Sequence, residues 1–181
     1  MLKTLFLLSL LLSLAQSAAA EDANDLFAAA IAGKNERLHS LLAQGIEVNA
    51  KTTSGRTALM GASFNGNVRA VKILLNYGAD VNIADDLGST ALMDALVFGD
   101  QQIVSLLIAT GADVNAVDKQ NISVLAKAKK TPHQHLVKML EQAGAKEEVE
   151  IVTIEENEAG GQDEAQADAE DRQQAPNNDP Q

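Results

Sequence analysis

Groups able to do chemistry are scarce in this 181-residue chain, which has no cysteine and three histidines, His39, His133 and His135. His39 reads as a solvated surface residue beside the core position Leu38. His133 and His135 stand two apart, which on a helix turns them to different faces, whereas a helical metal pair prefers a spacing of four, as in H-E-x-x-H. An irregular turn would still let the two chelate a metal, so metal binding through His133 and His135 is a remote alternative. The carboxylates Asp80, Asp85, Asp86, Asp113 and Asp118 raise the question of calcium. Asp80 and Asp113 occupy a repeated turn, where a short acceptor bonds nearby backbone N–H groups, and a structural role is the better reading. Neither a phosphate loop nor a dinucleotide fingerprint occurs. The expectation is a chain that is not an enzyme and that uses no cofactor and no metal.

What must hold these residues is a 33-residue period. Gly78-Ala79-Asp80-Val81-Asn82 returns as Gly111-Ala112-Asp113-Val114-Asn115, with a weaker copy at Gly45-Ile46-Glu47-Val48-Asn49 and a decayed one at Gly144-Ala145-Lys146. Aligned on that offset, Leu26, Leu59, Leu92 and Leu125 share one column and Leu41, Leu74, Leu107 and Leu140 another. A fixed period of this length marks a solenoid. Within one unit, Thr57 is a fitting N-cap for a helix carrying Ala58, Leu59 and Ala62, and Gly66-Asn67 breaks that helix. Val68, Val71, Leu74 and Leu75 then recur at helical spacing, and Gly78 supplies the left-handed residue that ends the second helix.

This arrangement resembles the ankyrin repeat, whose opening is written T-P-L-H-x-A and whose close is G-A-D-V-N. Thr57-Ala58-Leu59-Met60 and Thr90-Ala91-Leu92-Met93 keep the Thr and Leu and replace Pro with Ala and His with Met. The resemblance implies an all-α solenoid of four stacked helix-turn-helix repeats joined by long turns, at about 21–53, 54–86, 87–119 and 120–146. The outer units read as polar caps: the first opens on Glu21-Asp22, and the fourth has Pro132 where the others have Gly, with Lys127, Lys129 and Lys130 facing the end of the array.

The flanks differ from the array. Residues 1–20 carry Lys3, an apolar run from Leu5 to Leu14 and then Ala18-Ala19-Ala20, the pattern of a secretory signal peptide cleaved after Ala20. That run is about half of what a spanning helix needs. Residues 147–181 hold twelve acidic residues against one basic, Arg172, with little beyond Ile154 to build a core, and read as an acidic, mostly disordered tail. Such charge argues against nucleic acid as a partner. Lys119, Lys127, Lys129, Lys130, Lys138 and Lys146 crowd the last repeat; they are either a charged end-cap or a surface the tail screens.

Function is expected on a binding face. By the resemblance, Phe64, Tyr77 and Phe98 fall in columns that vary among ankyrin proteins and line their concave face, with Val97 and Leu87 in similar columns and Phe27 in the core. Arg56, Asp86, Ser89 and Lys119 are the flanking polar contacts. Folding of Phe64 and Phe98 inward between repeats is the competing reading. The chain is thus expected to be an exported, periplasmic or secreted monomer that binds another protein, as an inhibitor of a toxin or hydrolase or as an accessory factor for an exported enzyme.

Overall fold

The computed structural model describes residues 21–146, and the signal-peptide and tail assignments fall outside them. Within the described residues eight helices follow one another as four pairs. A first helix, α1, runs over residues 21–31 and pairs with α2 (Asn35–Ala43). The second pair is α3 (Ala58–Phe64) with α4 (Val68–Asn76), the third α5 (Ala91–Phe98) with α6 (Gln101–Ala109), and the fourth α7 (Val124–Lys129) with α8 (Gln134–Gln142). First helices pack side by side, α3 on α5 and α5 on α7, while α2, α4 and α6 form a second layer.

The repeated columns account for this order. Thr57, Thr90 and Ser123 sit just before α3, α5 and α7, and each side-chain oxygen accepts the N–H of the residue three ahead, at 3.4, 3.4 and 3.2 Å. Each cap satisfies one of the amides that a helix start leaves unpaired. Asp100 does the same for α6 through the N–H groups of Gln102 and Ile103. At the other end, Gly78 takes φ +82°, a conformation that only glycine adopts without appreciable cost. Met60 and Met93, standing where the consensus has His, are fully buried, so these units gain apolar contact there.

The core runs unbroken along the array because each pair hides its apolar face against the next. Leu26, Leu59, Leu92 and Leu125 are buried in the first-helix layer, and Leu41, Leu74, Leu107 and Leu140 in the second. The long turns are tied as well. Short antiparallel bridges join Lys51 to Thr57, Ala84 to Thr90 and Val117 to Ser123. Between successive turns, Asp86 donates its N–H to the Ser54 carbonyl at 3.2 Å and Lys119 donates to the Leu87 carbonyl at 3.0 Å.

The two polar residues of the repeated phrase have separate tasks. Asp80 and Asp113 accept the N–H two residues ahead, from Asn82 and Asn115, and so fix the turn locally. The asparagines reach across. Asn49, Asn82 and Asn115 each accept the N–H of a residue 31 positions later, namely Asp80, Asp113 and Lys146, at 2.8 to 2.9 Å. Asn82 and Asn115 also donate to the Gly111 and Gly144 carbonyls.

Candidate protein-binding face

The first-helix layer and the turn tips form one surface, and its exposed apolar groups cluster at the C-terminal ends of α3 and α5. Phe64 closes α3 and Phe98 closes α5. Their rings meet edge to face at 5.4 Å between centroids, a favoured aromatic geometry. Phe98 is 63% exposed, Val97 beside it 48% and Phe64 36%, so neither ring is swallowed between repeats. Leu87, at 62%, is exposed at a turn tip at the other end of the helix axis.

Between these apolar ends lies a charged layer. The Arg56 guanidinium sits 2.5 Å from the Asp94 carboxylate and 3.6 Å from Asp85, and its far side covers the Phe27 ring at 5.8 Å. Lys127 reaches Asp118 at 2.8 Å. Asp85 accepts the N–H groups of Leu87 and Ser89, and Asp118 those of Gln120 and Ile122. These two aspartates, one repeat apart, therefore hold their turns and each anchors a cation, Arg56 just before α3 and Lys127 within α7. Burial pushes the Asp94 carboxyl up to about 6, with Arg56 acting against the rise and Asp85 adding to it. For Asp118 burial pushes the same way, but the Lys127 ammonium and the backbone N–H groups of Ile122 and Gln120 hold it below the usual carboxylate range.

Several expected residues stand elsewhere or are otherwise engaged. Tyr77 caps the end of α4, with its ring 6.0 Å from His39 of α2, and so belongs to the second-helix layer. Arg56 is largely committed to Asp94 and Asp85, its side chain 27% exposed. Ser89 is half-buried and directs its hydroxyl to the Met93 sulfur. Asp86 and Lys119 are exposed on the turn tips. Phe27, expected in the core, is only partly buried. It leans with Ile31 over Gly61, where a Cβ would come within 2.9 Å of the ring and 2.8 Å of the isoleucine, and the Arg56 guanidinium covers its face. Lys127, expected to face the end of the array, turns instead into the Asp118 pair.

The histidine pair has a packing context. His133 precedes α8, and its ring lies against Gly99, where a Cβ would stand 2.4 Å from the imidazole. The His135 ring is tilted against it, centroids 6.1 Å apart. Among the described residues, no group of three or more His, Asp or Glu side chains converges as a metal site, and no helix is long and apolar enough to cross a membrane.

Asp94 is the residue that sequence patterning missed. It is a carboxylate set inside the apolar run Ala91-Leu92-Met93-Asp94-Ala95-Leu96, in the same column as Gly61 and Lys127, and that break in an otherwise buried helix was the available signal.

These features define a class, a solenoid of capped helix pairs with an exposed face of first helices and turn tips. The family model for ankyrin repeats, in three copies, matches residues 26–118, and the chain belongs to the ankyrin-repeat family. The fourth helix pair lies beyond the matched span and keeps the same packing, α7 against both α5 and α8. Compared with curated proteins, the chain has no significant match. Ankyrin repeats generally mediate protein–protein interaction and are typically non-catalytic.

Proposed function

We propose that this protein is an exported, non-catalytic binding module that captures another exported protein on its first-helix face. The observation that carries the reading is the exposed edge-to-face pair Phe64–Phe98 with Val97 beside it. Rigid aromatic groups held on helix ends are the kind of anchor that dominates protein interfaces, and most of the Phe98 ring is left open to a partner. The apolar leader of residues 1–20 supports export to the periplasm or outside the cell. The acidic balance of the whole chain, a net charge of −11, disfavours nucleic acid as the partner. The functional unit is taken to be a monomer, with the capped array presenting one face.

Immobilised protein exposed to the exported fraction of its source cells tests this directly. The wild-type chain should retain a partner that Phe64→Ala/Phe98→Ala does not, while the far-UV circular dichroism of the two stays the same. Retention by both forms would end the proposal. The captured partner's own activity then assigns the role: loss on binding marks an inhibitor, and gain or longer lifetime marks an accessory factor.

A further inference from the structure

The charged layer of the first-helix face does not balance. Asp85, Asp94 and Asp118 are all buried, and two cations reach them: Arg56 meets Asp94 and Asp85, and Lys127 meets Asp118. The helices packed on α5 do not close the difference. α3 and α6 carry no ionisable side chain, and α7 adds Lys129 and Lys130 only at its C-terminal end. Lys51, whose ammonium lies on the Ala84 carbonyl, and the tip residues Asp86 and Lys119 are exposed, and solvent screens such charges far more than buried ones. With every group ionised, the three buried carboxylates exceed their two cations by one charge.

The excess falls on Asp94. Asp85 accepts the N–H groups of Leu87 and Ser89, and Asp118 those of Gln120 and Ile122, bonds that favour the ionised form. Asp94 has Arg56 as its side-chain hydrogen-bond partner among the described residues, and shares it with Asp85. Burial pushes its carboxyl up to about 6 against the pull of that guanidinium, with Asp85 adding to the rise. Asp94 also stands one turn before Phe98 on α5, and side chains four apart on a helix are neighbours. A partner resting on Phe98 therefore comes down over Arg56 and the carboxylate beneath it. The Asp94 side chain is only 8% exposed, which leaves a partner's own cation no direct approach. We infer that seating a partner on this face is coupled to the uptake of one proton from solvent by Asp94. The carboxylate becomes a neutral carboxyl, and the buried charges of the layer balance. The inference rests on the proposed binding role and adds the condition under which it operates. Covering Asp94 strips the water that still reaches it, so the complex keeps the proton to a higher pH than the free chain does. Affinity is then full below about 6 and falls as pH rises above it.

The probe is the protein that the immobilised wild-type chain retains and Phe64→Ala/Phe98→Ala does not. Titrated by calorimetry against the full chain, it should bind about tenfold or more tightly at pH 5.5 than at pH 7.5. Repeating the pH 7.5 titration in two buffers of different ionisation enthalpy counts the protons, and uptake of about one per complex is expected. Asp94→Asn, neutral and of nearly the same shape, should bind at pH 7.5 about as tightly as the wild-type chain does at pH 5.5, and should lose most of the pH dependence. Three results overturn the inference: no proton uptake by the wild-type chain, the same pH dependence in Asp94→Asn, or wild-type affinity that rises with pH. The last would mean that the partner brings a cation to the layer. In all three, capture still depends on Phe64 and Phe98, and only the proton coupling falls. Retention that ignores those two residues, or no retention at all, removes the binding role and the inference with it.

Discussion

At Asp94 the chain places a carboxylate where it must lose most of its hydration, and one guanidinium is shared between it and Asp85. Desolvation outweighs the pairing, and the folded pKa rises from 3.8 to about 6. The sign follows from proton linkage. Between those two values the folded chain holds a proton on Asp94 that the unfolded chain has released, so folding is favoured there and the advantage is lost as pH rises through about 6. The ionised form at neutral pH is thereby disfavoured by something on the order of 3 kcal/mol. Asp118 works oppositely: its depressed pKa adds stability above the ordinary carboxylate value that is lost on acidification below it. The wild-type chain should therefore gain melting temperature between pH 7 and pH 5, and Asp94→Asn should flatten that gain. An unchanged difference between the two pH values in that variant would mean that Asp94 does not titrate in this range.

At the scale of the element, the phrase Gly-Ala-Asp-Val-Asn separates into a local joint and a bridge. Asp80 bonds within its own turn, whereas Asn82 accepts from Asp113 and donates to the Gly111 carbonyl in the next repeat. Asn82→Ala removes two bonds between repeats, each worth about 0.5–1.5 kcal/mol. Asp80→Ala should cost less, because it removes a single bond within its own turn. Urea denaturation of the two variants measures the order, and equal or reversed losses would contradict the bridging role. Much of this level could be read from residue order: Thr57 and Thr90 as caps, Gly78 as a terminator and the leucine columns as core all follow from local spacing. Pairings that cross repeats could not. Arg56 and Asp94 are 38 residues apart, as are His39 and Tyr77, an offset that is no multiple of the period. Column alignment therefore shows that Tyr77 and Asp94 vary without showing which layer or which partner they turn to.

For the molecule as a whole, stability is a chain of neighbour interfaces, since each repeat buries its apolar face on the next. Leu74 is fully buried at the centre of that series. Leu74→Ala should cost about 2–5 kcal/mol, a large share of the roughly 5–15 kcal/mol that holds a small domain. A urea midpoint within experimental error of wild type would show that the repeats do not share a core there. The same continuity holds the exposed groups at Phe64, Val97 and Phe98 in place, because the helices beneath them are fixed from both sides. Fold class and repeat frame were visible in the residue columns. The division of the expected face was not, since the charged layer of Arg56, Asp94 and Lys127 separates Leu87 at the tips from the aromatic pair at the helix ends.

The central claim is that a protein partner sits on the first-helix face. Amide hydrogen exchange of the full chain, alone and with its captured partner, locates that contact without altering a residue. Slowed exchange at the C-terminal ends of α3 and α5 and in the adjoining turns to α4 and α6, with the exposed residues of α2, α4 and α6 themselves unchanged, is the predicted result. Protection confined to the second-helix layer, around His39 and Tyr77, would contradict it.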